Sequence, residues 1–179
     1  MSIEKVQAFL AAKGMADRVI TFETSTATVE LAAEAVGVEP GRIAKTMSFL
    51  VDGAPLLVIL AGDVRVDNHR FKEAFHKKGR MIPFDQVEAF IGHAPGGVCP
   101  FAIKEGVPVY LDESLRRFET VYPAAGDDHS AVRLTPEELY RIIPAAAGSL
   151  SRSESFHSYC ISVRFVRKDA TFAENFSRI

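Results

Sequence analysis

The 179-residue sequence predicts an α/β (α+β) fold, a single domain in which helices pack on a sheet. Three observations lead there. Stretches of helical and strand periodicity alternate, one strand of a hairpin is apolar throughout, and the length suits one domain with little room for a second. An all-apolar strand implies burial on both faces, so helices must cover the sheet it belongs to. Composition agrees: 47% hydrophobic and 25% charged residues are globular averages, unlike those of disordered or collagen-like chains. No apolar run approaches the roughly 20 residues that span a bilayer, and MSIEKVQAFLAAKG reads as an amphipathic helix, not a signal peptide. The expectation is a cytoplasmic protein with no membrane partner.

Val6, Phe9, Leu10 and Ala12 recur at helical spacing and Gly14 offers a stop, which predicts a helix over residues 3–14. Arg18–Glu23 (RVITFE) is rich in β-formers and reads as a short strand; Thr28 then caps a helix through Val36 that Gly37 ends. The hairpin follows, Ile43–Val51 and Leu56–Ala61 joined by the turn Asp52-Gly53-Ala54-Pro55, and its apolar second strand belongs in the centre of the sheet. Asp67 serves as N-cap for a helix to about Lys77, with Phe71, Ala74 and Phe75 inward and Gly79 as its end. A shorter helix spans Phe84–Ile91. Gly92–Pro100 holds three glycines and two prolines in nine positions, a loop of special backbone shape. Short strands are expected at Val107–Leu111, Glu119–Tyr122 and Ala131–Leu134. Thr135-Pro136-Glu137-Glu138 is a capping box that opens a helix through Ile143.

Residues 1–149 therefore read as the domain and 150–179 as a C-terminal extension. Ala145–Ser155 is small and polar, a linker, while Tyr159, Ile161, Val163 and Phe165 alternate with Cys160, Ser162 and Arg164 as in a half-buried strand. The extension is thus either an added edge strand or disordered. Its five basic and three acidic side chains set it apart from the 16 and 20 of residues 1–149. The whole chain, with 21 Lys plus Arg against 23 Asp plus Glu, is too balanced to hold nucleic acid by bulk attraction. A polyanion must meet a local patch such as Arg65–Arg80, where six basic residues accompany Asp67 and Glu73.

Missing signatures remove whole classes of enzyme. Without GxxxxGK followed by Ser or Thr, GxGxxG after a strand, GxSxG or HExxH, the chain does not read as a phosphate-loop hydrolase, Rossmann dehydrogenase, α/β-hydrolase or zincin. Cys99 and Cys160 lie far apart, form no CxxC pair, and are expected reduced. His69, Glu73 and His76 share a helix face at spacings of four and three, but with no further ligand cluster they read as an exposed polar face, not a metal site. As a nucleophile Cys99 would need a base beside it, His93 or His129; a small residue filling a tight loop is the simpler reading. Lys45 is more informative: within IAKTMSF a cation is costly unless it faces water, as at a sheet edge, or an anion. Gly96-Gly97, flanked by prolines, either makes a tight turn or lets backbone amides approach a ligand oxygen.

Taken in order, IAKTMSFLVDG, VDNHRFKEAF, GHAPGGVCPF and VYLDESLRRFETVYPAAG resemble the YbaK/EbsC-type aminoacyl-tRNA deacylases, relatives of the editing domain inserted in bacterial prolyl-tRNA synthetases; the resemblance covers residues 3–147. It implies a single α/β domain with a strongly curved, mixed and largely antiparallel sheet flanked by helices. The implied activity is that of a trans-editing hydrolase cleaving the ester between a wrong amino acid and transfer RNA, with tRNA for proline carrying alanine as leading substrate. A tRNA- or nucleotide-binding module that kept the pocket and lost hydrolysis is the alternative. Lys45 matches the family's strand lysine, which holds the phosphate backbone near the terminal adenosine, and Thr46 beside it is assigned to substrate binding. Gly96 and Gly97 match the glycine loop whose amides face the aminoacyl group and its developing oxyanion. Phe22 matches a pocket aromatic on a strand neighbouring that of Lys45, and His129 a substrate-contacting histidine of alanine-editing relatives. The cysteine-editing type carries a serine and an aspartate where this chain has Ala124 and Ala131, which argues against cysteine as the substrate. An aminoacyl ester is already activated, so preorganised amides and a substrate hydroxyl that orients water suffice; neither metal nor organic cofactor is called for. The implied partners are the acceptor end of aminoacyl-tRNA and prolyl-tRNA synthetase, with monomer and homodimer both open.

Overall fold

The computed structural model describes residues 2–143 and, beyond them, the strand residues 166–167. Helix α1 (Ser2–Ala11) leads through a 3-10 turn into β1 (Val19–Thr21), and α2 (Val29–Val36) precedes the hairpin of β2 (Ala44–Val51) and β3 (Ala54–Ala61). There follow β4 (Arg65–Val66), α3 (Asn68–Phe75), β5 (Arg80–Met81), α4 (Val87–Ile91), β6 (Val109–Leu111), β7 (Ser130–Val132) and α5 (Pro136–Ile142). β8 (Val166–Arg167) pairs antiparallel with β4. The linker expected over Ala145–Ser155 and the alternating strand expected over Tyr159–Phe165 lie outside the described residues.

Local chemistry sets most boundaries. Thr28 Oγ1 accepts from the Leu31 N–H, and Gly37, at φ 77°, closes α2. Asp67 Oδ1 accepts from the His69 and Arg70 amides, and Thr135 and Glu138 exchange capping-box bonds at α5. Two turns differ from expectation. The hairpin turn is only Asp52-Gly53, at φ 51° and 80°, because an Asp-Gly pair adopts the left-handed backbone that a two-residue turn needs; Ala54 and Pro55 already pair with Val51 and Leu50. Helix α3 ends at Phe75 with His76 as a left-handed cap, so Gly79 is not its stop; a side chain there would strike the Phe71 ring at 2.4 Å.

The larger sheet runs β5-β2-β3-β6, with β3 antiparallel to β2 and parallel to β6. Residues Leu57–Ala61 of β3 are fully buried, as a strand apolar on both faces requires. Val6 and Leu10 of α1, Phe71 of α3 and Leu139 of α5 belong to the same core. A second, antiparallel ladder, β1–β7, is stitched to the first by residues 121–124: Val121 pairs with Leu134, Ala124 with Ala131, and Tyr122 with Ile43. The strand expected over Glu119–Tyr122 is reduced to such isolated bridges, since Pro123 has no N–H to continue a ladder. The whole is a mixed, mostly antiparallel α/β domain with a seam where the ladders meet. No helix among the described residues is long and apolar enough to cross a membrane.

Candidate functional site

The seam holds a cavity of ≈ 280 Å³. Ala44, Lys45 and Thr46 of β2 form one wall, and Pro95, Gly96 and Val98 of the loop after α4 another. Thr26–Val29, leading into α2, and Tyr122, Ala124, Ser130 and Ala131 close most of the rest; Phe84 and Val87 also line it.

Lys45 Nζ donates to the carbonyls of Gly62, at 3.1 Å, and Val64, in the turn after β3. Burial lowers its pKa from the ordinary lysine value; Asp63 opposes this, Arg65 reinforces it and Glu30 opposes it. The turn is itself held. Arg117 grips both carboxylate oxygens of Asp63, and a Cβ at Gly62 would lie 2.2 Å from the Pro40 carbonyl oxygen. An ammonium carries three N–H donors, so with two on carbonyls one remains for a ligand oxygen.

Gly96 stands at φ 90°, a conformation that strains any residue with a side chain. The reason for Gly97 is different: its N–H donates to the Ala94 carbonyl at 3.1 Å, and a Cβ would come within 2.6 Å of the Gly126–Asp127 backbone. The expectation that both glycine amides face a ligand is therefore corrected for Gly97, whose amide closes a turn and whose missing side chain lets two loops touch. The N–H groups of Gly96 and Val98, residues of the cavity wall, have no acceptor among the described residues.

Thr46 lines the cavity, and its Oγ1 and that of Thr26 are buried without a partner among the described residues. Phe22 and His129 are not in the wall. Because β1 pairs with β7 and not with β2, the placement of Phe22 on a strand beside Lys45 is corrected; its N–H donates to the His129 carbonyl at 2.8 Å. The His129 side chain is 48% exposed, its Nδ1 3.0 Å from Asp128 Oδ1. Asp127 Oδ1 accepts from the His129 amide and from the hydroxyl of Ser130, which does line the cavity. Thr26, Tyr122, Ser130 and Phe84 are wall residues that sequence reasoning missed. Only Ser130 carried a local signal, the Asp-x-x-Ser spacing of an aspartate-stabilised turn.

Residues 23–142 match the model of the aminoacyl-tRNA editing domain. The chain belongs to this family. The chain is 45% identical over 140 residues to the uncharacterized protein YwhH of Bacillus subtilis strain 168, covering 78% of this chain and 89% of that one. It is 26% identical over 129 residues to EbsC of Enterococcus faecalis, a candidate Cys-tRNA(Pro)/Cys-tRNA(Cys) deacylase, covering 71% and 79%. A solved structure of a candidate trans-editing enzyme for prolyl-tRNA synthetase superposes with a TM-score of 0.74 at 32% identity, over 80% of this chain and 92% of that one. Type and fold are those of the YbaK/EbsC proteins. Every wall residue, from Thr26 to Ala131, falls inside the matched span.

The editing domain also brings a cysteine to a histidine, outside the cavity wall. Cys99 Sγ lies 3.5 Å from His93 Nε2, yet both residues are fully buried. Burial pushes the thiol up to about 12, with Asp127 adding to the rise and the Phe101 carbonyl opposing it, so no thiolate forms. His93 Nε2 is 2.6 Å from the Phe101 carbonyl, which can only accept; Nε2 therefore carries the proton and Nδ1 accepts from the Ser2 hydroxyl. Burial lowers the pKa of this ring and keeps it neutral. On α3, His69 and Glu73 form an exposed pair at 3.5 Å, while His76 has left the helix as its cap.

Proposed function

We propose that this protein is a trans-editing hydrolase that releases a small amino acid, alanine first, from mischarged transfer RNA for proline, acting beside prolyl-tRNA synthetase as the trans-editing relative is named to do. One observation carries the reading. Lys45 lines a ≈ 280 Å³ cavity whose other wall residues are mostly small, aliphatic or hydroxyl-bearing, with Phe84 and Tyr122 its aromatics, a cation for a phosphate beside space for a small acyl group. Ala27, Ala32, Ala44, Ala124 and Ala131 leave that space narrow and uncharged.

In the proposed reaction the free Lys45 donor takes a phosphate oxygen and the Gly96 and Val98 N–H groups take the ester carbonyl. Water adds to the carbonyl carbon, the oxyanion gathers on those amides, and the bond to the ribose oxygen breaks. The water's proton passes to the departing ribose oxygen, directly or through the neighbouring ribose hydroxyl, leaving free tRNA and amino acid. Gly97 holds the loop in place, Thr46 meets the acyl group, and His129 and Phe22, joined by the Phe22 N–H and the His129 carbonyl, meet the part of the acceptor end that stays outside. The machinery is assigned to residues 1–149, so truncation after Ser149 retains turnover. The test is ester loss from a panel of mischarged tRNAs, with acceleration expected for alanyl-tRNA for proline. No acceleration over the spontaneous rate for any member would leave a binding module in place of a hydrolase.

A further inference from the structure

Among the wall residues that the reaction proposed above leaves unused, Phe84 stands apart. Three large apolar side chains among the described residues are exposed, Leu31, Met81 and Phe84 at 42%, 62% and 79%, and Phe84, the most exposed, is the one in the cavity wall. Its position follows from the backbone. The Ile82 N–H donates to the Ser48 carbonyl, carrying the chain from β5 along β2, and Pro83 turns it into a 3-10 turn, Phe84–Gln86, that enters α4. Three residues on, Val87 is buried and lines the same cavity, so the segment already has an apolar anchor. The Phe84 ring thus stands at the mouth, largely in water, where it adds little to the packing of its own segment.

The charge around the mouth indicates what the ring meets. Lys45 lies in the same cavity wall, with Asp63, Arg65 and Glu30 close enough to act on its proton affinity, and its ammonium keeps one N–H donor after the Gly62 and Val64 carbonyls. Cations beside an aromatic face are the means by which proteins hold single-stranded nucleic acid, with phosphate on the charge and a base stacked on the ring. An apolar protein patch would leave the remaining Lys45 N–H donor without an acceptor. We infer that Phe84 is the stacking platform for the terminal nucleobase of a tRNA acceptor end, seated at the mouth while the ester lies inside. The ligand class rests on the deacylase reading; the atoms concerned, a base and a ring, are not those of the hydrolytic step.

An acceptor-stem minihelix with 2-aminopurine as its unpaired 3′-terminal base tests the inference directly, uncharged so that hydrolysis plays no part. Stacking quenches this base. Wild-type protein is expected to quench it saturably, with affinity falling as salt rises. Phe84→Ala should abolish the quenching and weaken binding about tenfold, within the range for one stacked base. Phe84→Tyr should restore both and Phe84→Leu should not, while thermal unfolding stays near wild type for a side chain so exposed. Undiminished quenching by Phe84→Ala, or rescue by Leu as complete as by Tyr, overturns the inference. Unchanged quenching together with lost association with prolyl-tRNA synthetase also overturns it, in favour of a protein contact. The two readings fail separately. Quenching without deacylation of any mischarged tRNA removes the hydrolase and leaves the platform; deacylation by a protein that never quenches the base removes the platform alone.

Discussion

Pro95, Gly96 and Val98 line the cavity, while His93, Cys99 and Phe101 of the same loop are fully buried on the side of α1, where the Ser2 hydroxyl meets His93 and the Phe9 ring packs 6.1 Å from that of Phe101. By residue type the buried side is the more reactive, a thiol 3.5 Å from an imidazole. The cavity side offers backbone, hydroxyls and, from β2, one lysine. Access reverses the ranking. Burial holds Cys99 protonated and His93 neutral, which makes one a filler and the other a tether between α1 and the loop. Lys45, only partly buried and already supported by two carbonyls, keeps a donor for a ligand. Reactive groups make a site only where desolvation is compensated and solvent can reach them.

The comparison is broken most severely by filling the contact between the two loops. Gly97→Val must part the backbone of 126–127 from the glycine loop and is expected to cost about 3 kcal/mol of stability, the upper part of the usual overpacking range, read by chemical denaturation. Wild-type stability in this variant would mean that the loops separate freely. On the cavity side, Lys45→Ala should lower kcat/KM for mischarged tRNA at least about tenfold, or ~1.4 kcal/mol, in a protein that still folds. Full activity would remove Lys45 from the site. On the buried side, Cys99→Ala should cost about 1 kcal/mol of stability from one deleted core atom and leave turnover unchanged. Abolished turnover in a folded variant would restore the cysteine as nucleophile.

The smallest effect is graded with pH. Because His93 binds a proton less readily in the folded chain than its ordinary value of 6.5, the unfolded chain takes up the proton first. The stability that depends on the neutral ring is complete above that value and is lost as pH falls through it toward the lowered folded value. Unfolding free energy measured between about pH 7.5 and about pH 5.5 should therefore decline more in wild type than in His93→Gln. An equal decline in both would detach the effect from this residue.

What could be read before the structure was known divides along the same line. The Thr28 and Asp67 caps, the capping box at Thr135, the Gly37 stop and the central placement of β3 were legible because each depends on residues within a few positions or on one uninterrupted apolar run. Lys45 stood out for a similar reason, as a charge inside such a run. Phe22 was misplaced because strand order is not a local property: β1 found its partner in β7, more than a hundred residues along the chain. Thr26, Tyr122, Ser130 and Phe84 belong to four segments that meet only at the seam.

The sequence by itself determined most of the helices and their caps, the hairpin with its central strand, the anomalous lysine, the glycine loop and the family. Tertiary structure decided which glycine keeps its amide free, why Cys99 and His93 stay silent although they touch, and why Phe84 is left in water at the cavity mouth. Caps, turns and periodicity are energies settled between near neighbours in the chain. Burial, proton affinity and access depend on surfaces brought together from distant segments, and they exist only once the two ladders have closed on one another.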